Sequence, residues 1–133
     1  MEVMTTIKMK IKDCILIEPF TCKEDDNIVD VAKKLREITL RHIFVVDENE
    51  FPKGIISIID INNRIVAESK DPSKTLAKDI MSTPIDVANI EDDVEELSKK
   101  LIEKNHVLAP VVENEKIIGI ITIHQVLKNL NKE

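Results

Sequence analysis

Gly54-Ile55-Ile56-Ser57-Ile58-Ile59-Asp60 and Gly119-Ile120-Ile121-Thr122-Ile123-His124-Gln125 are one pattern written twice, 65 residues apart. Each holds one of the chain's two glycines, two apolar residues and then a hydroxyl residue. Sliding the chain against itself outward from this pair extends the match. At an offset of 66, Lys12-Asp13 falls on Lys78-Asp79, Lys33-Lys34-Leu35 on Lys99-Lys100-Leu101, Glu37 on Glu103, and Val45-Val46 on Val111-Val112. Pro19 and Pro84 match at 65. The matches keep their order along the whole chain. They divide it into two tandem copies, residues 1–68 and 69–133. The joint from Glu68 to Thr75 is polar, contains Pro72 and reads as a linker.

Within each copy the periodicities give one order of elements. A short strand is predicted at 15–17 and at 85–87. A helix follows, capped by Asp25 or Asp26 in the first copy and by Asp92 or Asp93 in the second. Its apolar stripe is Ile28, Val31, Ala32, Leu35 and Ile38, then Val94, Leu97, Leu101 and Ile102. Two strands joined by a polar turn come next, His42–Val46 with Gly54–Ile58, then Val107–Val112 with Ile117–Thr122. A last helix starts near Asp60 and near His124. The unit is β-α-β-β-α, an α+β fold. One such unit is too small to bury both faces of its sheet, and two packed together solve that problem.

The composition narrows function. Of 133 residues, 43% are apolar, enough for a packed core. Nineteen basic against 25 acidic residues give a net charge of −6, which argues against nucleic acid and against an anionic membrane surface. No run of apolar residues is long enough to span a bilayer, and Met1 to Lys12 does not have the form of a signal peptide, so the expected location is cytoplasmic. Cys14 and Cys22 form no metal motif and read as reduced, packed thiols. With no Trp or Tyr, base stacking between aromatic rings is not expected. The two glycines cannot build a phosphate-cradling loop, and no nucleophile–base pair stands at a known spacing, so no enzyme and no catalytic residue is predicted. The acidic run Glu91-Asp92-Asp93 with Glu95-Glu96 reads as a first helical turn complementing the dipole, and not as a metal site. Lys33-Lys34 and Lys99-Lys100 mark outer helix faces.

The doubled order resembles the CBS-domain pair, or Bateman module. The residues that carry the resemblance are His42-Ile43-Phe44-Val45-Val46-Asp47 before the first glycine stretch and Ala109-Pro110-Val111-Val112-Glu113 before the second. The resemblance implies two sheets with flanking helices packed about a pseudo-two-fold axis. Two clefts then lie between the copies, where relatives bind AMP, ADP, ATP or S-adenosylmethionine. It implies ribose hydroxyls on Asp60 with Ser57 beside it, phosphate near Arg41 and His42, and a base pocket from the second copy around Ile85, Asp86, Val87 and His106. In the second cleft Thr122 is kept, but Gln125 stands in place of the acid, and Val107 and Leu108 replace the basic pair. That cleft is degenerate by carry-over. Asp60 also suits the start of a helix as an N-cap, a role compatible with ribose binding. His106 and His124 read as surface residues.

These readings favour a regulatory module that senses an adenosine compound, a nucleotide first because of Arg41 and His42, and signals to a separate effector protein. By the same resemblance it pairs into a homodimer through its helices. It requires no cofactor. A ligand-free scaffold that docks a protein partner is the alternative.

Overall fold

The computed structural model describes residues 9–130. Two three-stranded sheets form its centre. In the first, β1 (Thr21–Lys23) pairs parallel with β2 (His42–Val46), which pairs antiparallel with β3 (Pro52–Ser57). In the second, β4 (Ala88–Asn89), β5 (Leu108–Glu113) and β6 (Lys116–Thr122) repeat that arrangement. Helices α1 (Ile28–Glu37) and α4 (Val94–Lys104) follow the first strand of each sheet. Helices α2 (Ile58–Ile61, continuing as a π-helical turn through Asn62–Val66) and α5 (Ile123–Leu130) follow the last. The order β-α-β-β-α, twice, is the one expected.

Local chemistry sets the boundaries. On α1 the buried residues Ile28, Val31 and Leu35 recur at three- and four-residue spacing, the period of one helix face. Its cap is Asn27, whose side chain accepts from Val29 N at 2.9 Å, and not Asp25 or Asp26. The Asp26 carboxylate is taken by Lys23 N at 2.9 Å, which closes the preceding turn. The second copy repeats this division of labour: Asp92 accepts from Asn89 N, and Asp93 caps α4. The β5–β6 turn is made by Asn114 and Glu115, both at positive φ (53° and 64°), as a two-residue hairpin requires.

The predicted strands at 15–17 and 85–87 are displaced. Sheet pairing falls instead on Thr21–Lys23 and Ala88–Asn89. Of the apolar run before β1, Ile11, Cys14 and Leu16 pack on the second core and Ile17 on the cluster between the sheets, while Ile15 is exposed. Ile17 and Ile120 exchange two main-chain hydrogen bonds of 2.8 Å, and Ile11 N and Lys12 N donate to Asp92 O and Ile90 O, each at 2.9 Å. The matching segment around α3 (Ala77–Ile80) packs back onto the first copy. Ala77 N donates to Asp26 O at 2.8 Å, and Ser82 and Ile55 exchange two main-chain bonds.

The two copies therefore trade their opening segments. The first core gathers Ile28, Leu35, Ile43 and Ile56 with Ala77 and Ile80 from later in the chain. The second gathers Val94, Leu101, Val111 and Ile121 with Ile11 from earlier. A third buried cluster, including Phe44, Leu108 and Ile120, joins the sheets face to face.

Both cysteines are free. Cys22 lies in the first core, where burial, helped by the nearby Asp26 charge and opposed by Lys34, pushes its thiol up to about 12. It stays a protonated hydrophobe at neutral pH. Lys33, Lys34, Lys99 and Lys100 are exposed. Among the described residues no helix is long and apolar enough to cross a membrane, and no three His, Cys, Asp or Glu side chains are grouped to hold a metal ion.

Candidate ligand-binding cleft

The exchange of segments creates a cavity of about 310 Å³ between the two copies. The first copy supplies His42 and Phe44 from β2, Ile55 and Ser57 from β3, and Asp60 from α2. The second supplies Ser82, Pro84, Ile85 and Asp86 from the segment entering β4, and Asn105 to Leu108 with Pro110 from the entry to β5. Of the residues singled out from sequence, His42, Ser57, Asp60, Ile85, Asp86 and His106 line this space together. Arg41 and Val87 do not line it. Arg41 is exposed and sits at φ 60°, the last residue of the turn into β2. Val87 borders a smaller groove with Asp92 and Glu96.

One end of the cavity is built on a capping box. Ser57, not Asp60, is the N-cap of α2, and Asp60 is its third residue. Ser57 N donates to Asp60 Oδ2 at 2.9 Å, while Asp60 N donates to Ser57 Oγ at 3.3 Å. The box satisfies two orphan helix donors and fixes the carboxylate's orientation. The other oxygen, Oδ1, receives Ser82 Oγ at 3.2 Å and lies 3.7 Å from Arg64 Nε. Arg64 also donates to Ile80 O and Met81 O. The side chain of Asp60 is 14% exposed, so any group that reaches Oδ1 does so from within the cavity.

A second carboxylate holds another part of the wall. Asp86 is likewise 14% exposed, forms an ion pair with Lys104 Nζ at 2.9 Å and accepts a hydrogen bond from His106 Nδ1 at 3.1 Å. Burial alone would raise its pKa, but the hydrogen bonds and charges of Lys104 and His106 prevail and hold the carboxyl below its usual range. The contribution of these pairs to stability is thus present above about pH 4 and lost as the pH falls through the depressed native value. The stability gap between the wild-type chain and Asp86→Asn is expected to be open at pH 7 and to close towards pH 3, read from urea midpoints along the pH series. A gap that widened as the pH fell would contradict the pairing.

His42 Nδ1 lies 2.7 Å from Leu40 O. A carbonyl only accepts, so Nδ1 carries the proton and Nε2 is the nitrogen left for a ligand. Among the described residues no Lys or Arg lines the cavity. Sequence reasoning missed Ser82 and Arg64. Ser82 had a signal, since it lies two residues before Pro84, which matches Pro19.

The second copy's glycine stretch builds the same box from different atoms. Thr122 N donates to Gln125 Oε1 at 3.0 Å and Gln125 N to Thr122 Oγ1 at 3.2 Å. In the second copy the amide oxygen of Gln125 takes the place that the carboxylate oxygen of Asp60 holds in the first. Its Nε2 donates to Ile15 O at 2.9 Å, tying it to the exchanged segment. Leu108, opposite Thr122 in the ladder, takes the place His42 holds opposite Ser57.

The family model described as the CBS domain matches residues 11–67 and again 77–132. The chain belongs to the CBS-domain family. A CBS pair is a regulatory ligand-binding module, and such pairs are in general not catalytic. An uncharacterized protein of Methanopyrus kandleri is 33% identical over 77% of this chain and 53% of its own length. The magnesium transporter MgtE of Thermus thermophilus is 33% identical over 84% of this chain and 24% of its own. The chain thus spans about half of the first relative and a quarter of the second. Among solved structures, the CBS domain pair of protein MJ0100, in complex with 5′-methylthioadenosine and S-adenosyl-L-methionine, superposes with a TM-score of 0.75. That match has 25% identity and covers 93% of this chain and 97% of the other.

Proposed function

We propose that this CBS pair senses an adenosine compound in the cleft that contains Asp60 and relays its occupancy to a partner protein. The observation that carries the reading is the Asp60 carboxylate: fixed and largely covered, with the Ser57 hydroxyl on Oδ2 and the Ser82 hydroxyl on Oδ1, on the wall of a cavity that also presents Phe44, Ile55, Ile85 and Leu108. Vicinal ribose hydroxyls match such an acceptor, and the base matches the apolar wall. The solved pair with bound methylthioadenosine and S-adenosylmethionine supports the ligand class. A cavity of 310 Å³ is at the small end for ligand sites, which suits a nucleoside with its 5′ group directed outward past His42. AMP, ADP, ATP and S-adenosylmethionine remain the compounds to titrate. The relay has a physical start: Asp60 is on the same short helix as Ile58 and Ile59, which are 46% and 67% exposed and form an apolar face for a second copy or an effector.

Calorimetric titration of ligand-free protein with these four compounds tests the proposal. At least one is expected to bind near one per chain. Asp60→Asn keeps an oxygen for the capping box but loses the charge. It is expected to weaken that ligand about 10- to 100-fold, the worth of a hydrogen bond to a charged group. No binding by any of the four, or equal binding by the variant, sinks the reading and leaves a scaffold that docks a protein.

A further inference from the structure

Ser82 and Asp86 lie on one run of chain. Ser82 is anchored at the ribose end of the cavity, by its hydroxyl to Asp60 and by its main chain to Ile55. The run then crosses Pro84 and Ile85, both on the cavity wall, and reaches Asp86 just before β4 in the other sheet. Four residues span at most about 14 Å, so a ligand held at Asp60 and lying along Ile85 has the Asp86 carboxylate within reach on the same wall. We propose, on the strength of the adenosine reading above, that the Asp86 carboxylate reads the base: it accepts a hydrogen bond from the 6-amino group of adenine and excludes 6-oxo purines.

Three observations support this assignment. Lys104 and His106 occupy one site on each Asp86 oxygen, and a carboxylate has about four acceptor sites, so capacity remains for a ligand donor. Those two partners keep the group ionised, and an ionised carboxylate only accepts. Ile85, Leu108 and Pro110 form the apolar part of the wall beside it, so a carbonyl in place of the amino group would meet the carboxylate's lone pairs with no donor to offer. His106 fits the same role. Its Nδ1 donates to Asp86, which fixes the carboxylate's direction, so His106 is a positioning residue.

Affinities of adenosine, purine riboside (a hydrogen in place of the 6-amino group) and inosine, measured on the wild-type chain and on Asp86→Ala and Asp86→Asn, decide the matter. The wild-type chain is expected to prefer adenosine over both others by at least about tenfold. Asp86→Ala brings the adenosine to purine riboside ratio close to one. Asp86→Asn keeps much of that ratio, because its amide oxygen still accepts, but admits inosine through its amide nitrogen. Retained far-ultraviolet circular dichroism and Asp60-dependent binding in both variants show that the fold and the ribose end are intact. A wild-type preference unchanged in Asp86→Ala overturns the assignment. So does a gain of AMP over adenosine in that variant, which would place the carboxylate beside the 5′ group. Absence of binding by all three nucleosides and by the four compounds above overturns the adenosine reading itself, and this inference falls with it.

Discussion

Ile80→Ala is expected to destabilise the chain by about 2–5 kcal/mol, with the whole loss falling in the core of the first repeat. Ile80 is fully buried, yet it comes after the linker and belongs by sequence to the second copy. Its neighbours in the packed cluster are Leu35, Ile43 and Ile56. Removing three carbons there leaves a cavity among close-packed strand and helix side chains that cannot collapse freely, which is why the upper part of the range is within reach. A double-mutant cycle locates the loss. Ile80→Ala combined with Ile56→Val should be non-additive by about 0.5 kcal/mol or more, whereas Ile80→Ala with Leu101→Ala in the second core should add to within about 0.5 kcal/mol. Urea unfolding midpoints with unchanged slopes give the required free energies. Coupling to Leu101 in place of Ile56 would mean that the segments are not exchanged. The same segment continues into Ser82 and Ile85, so loosening its anchor should also weaken ligand binding in the Asp60 cleft.

What the sequence revealed and what it hid divide along one physical line. Features set by neighbours close in the chain were legible. The 3.6-residue stripe of α1, the Ser57-x-x-Asp60 spacing and the β2–β3 hairpin all rest on contacts within a few residues, and each stands where the pattern placed it, give or take two positions. Features set by distant partners were not. The run Cys14 to Ile17 is apolar, which from sequence alone suggests a strand. Cys14 and Leu16 are partly covered by the second core, and Ile17 takes its main-chain bonds from Ile120, about a hundred residues away, which no local period encodes. Arg41 lies off the cavity wall for a related reason. Its neighbour His42 is in a strand whose register fixes it opposite Ser57, whereas Arg41 belongs to the turn, where a positive φ directs the chain away from the ladder. The sequence offered Asp25 or Asp26 as the cap of α1, but the turn before the helix takes Asp26 for itself and the cap falls to Asn27.

Gly119→Ala is expected to cost about 1–3 kcal/mol, and Gly54→Ala distinctly less, although the two glycines are repeat equivalents. Neither has positive φ, so conformational freedom is not the reason for either. The reason is the exchanged segment that crosses each one. A Cβ at Gly119 would come within 2.7 Å of Leu16 Cβ and 3.3 Å of Ile17 O. Ile17 O is backbone and Leu16 Cβ moves only with its own backbone, and that stretch is pinned by the two Ile17–Ile120 bonds and by the Gln125–Ile15 bond, so relief requires breaking main-chain contacts. At Gly54 the closest atoms are Met81 Sδ at 2.5 Å and Cγ at 2.8 Å. A thioether chain with three rotatable bonds can swing aside, and only its Cβ at 3.0 Å must shift with the backbone. Urea unfolding of the two variants tests the order, and a larger loss at Gly54 would refute it. Ligand titration should show the reverse ranking. Gly54→Ala displaces Met81, the residue beside Ser82, and so disturbs the hydroxyl that meets Asp60 Oδ1. Gly119→Ala acts on the other segment, the one that carries Ile15 to Ile17. The two substitutions thus separate the segment that stabilises the second core from the one that builds the binding cleft.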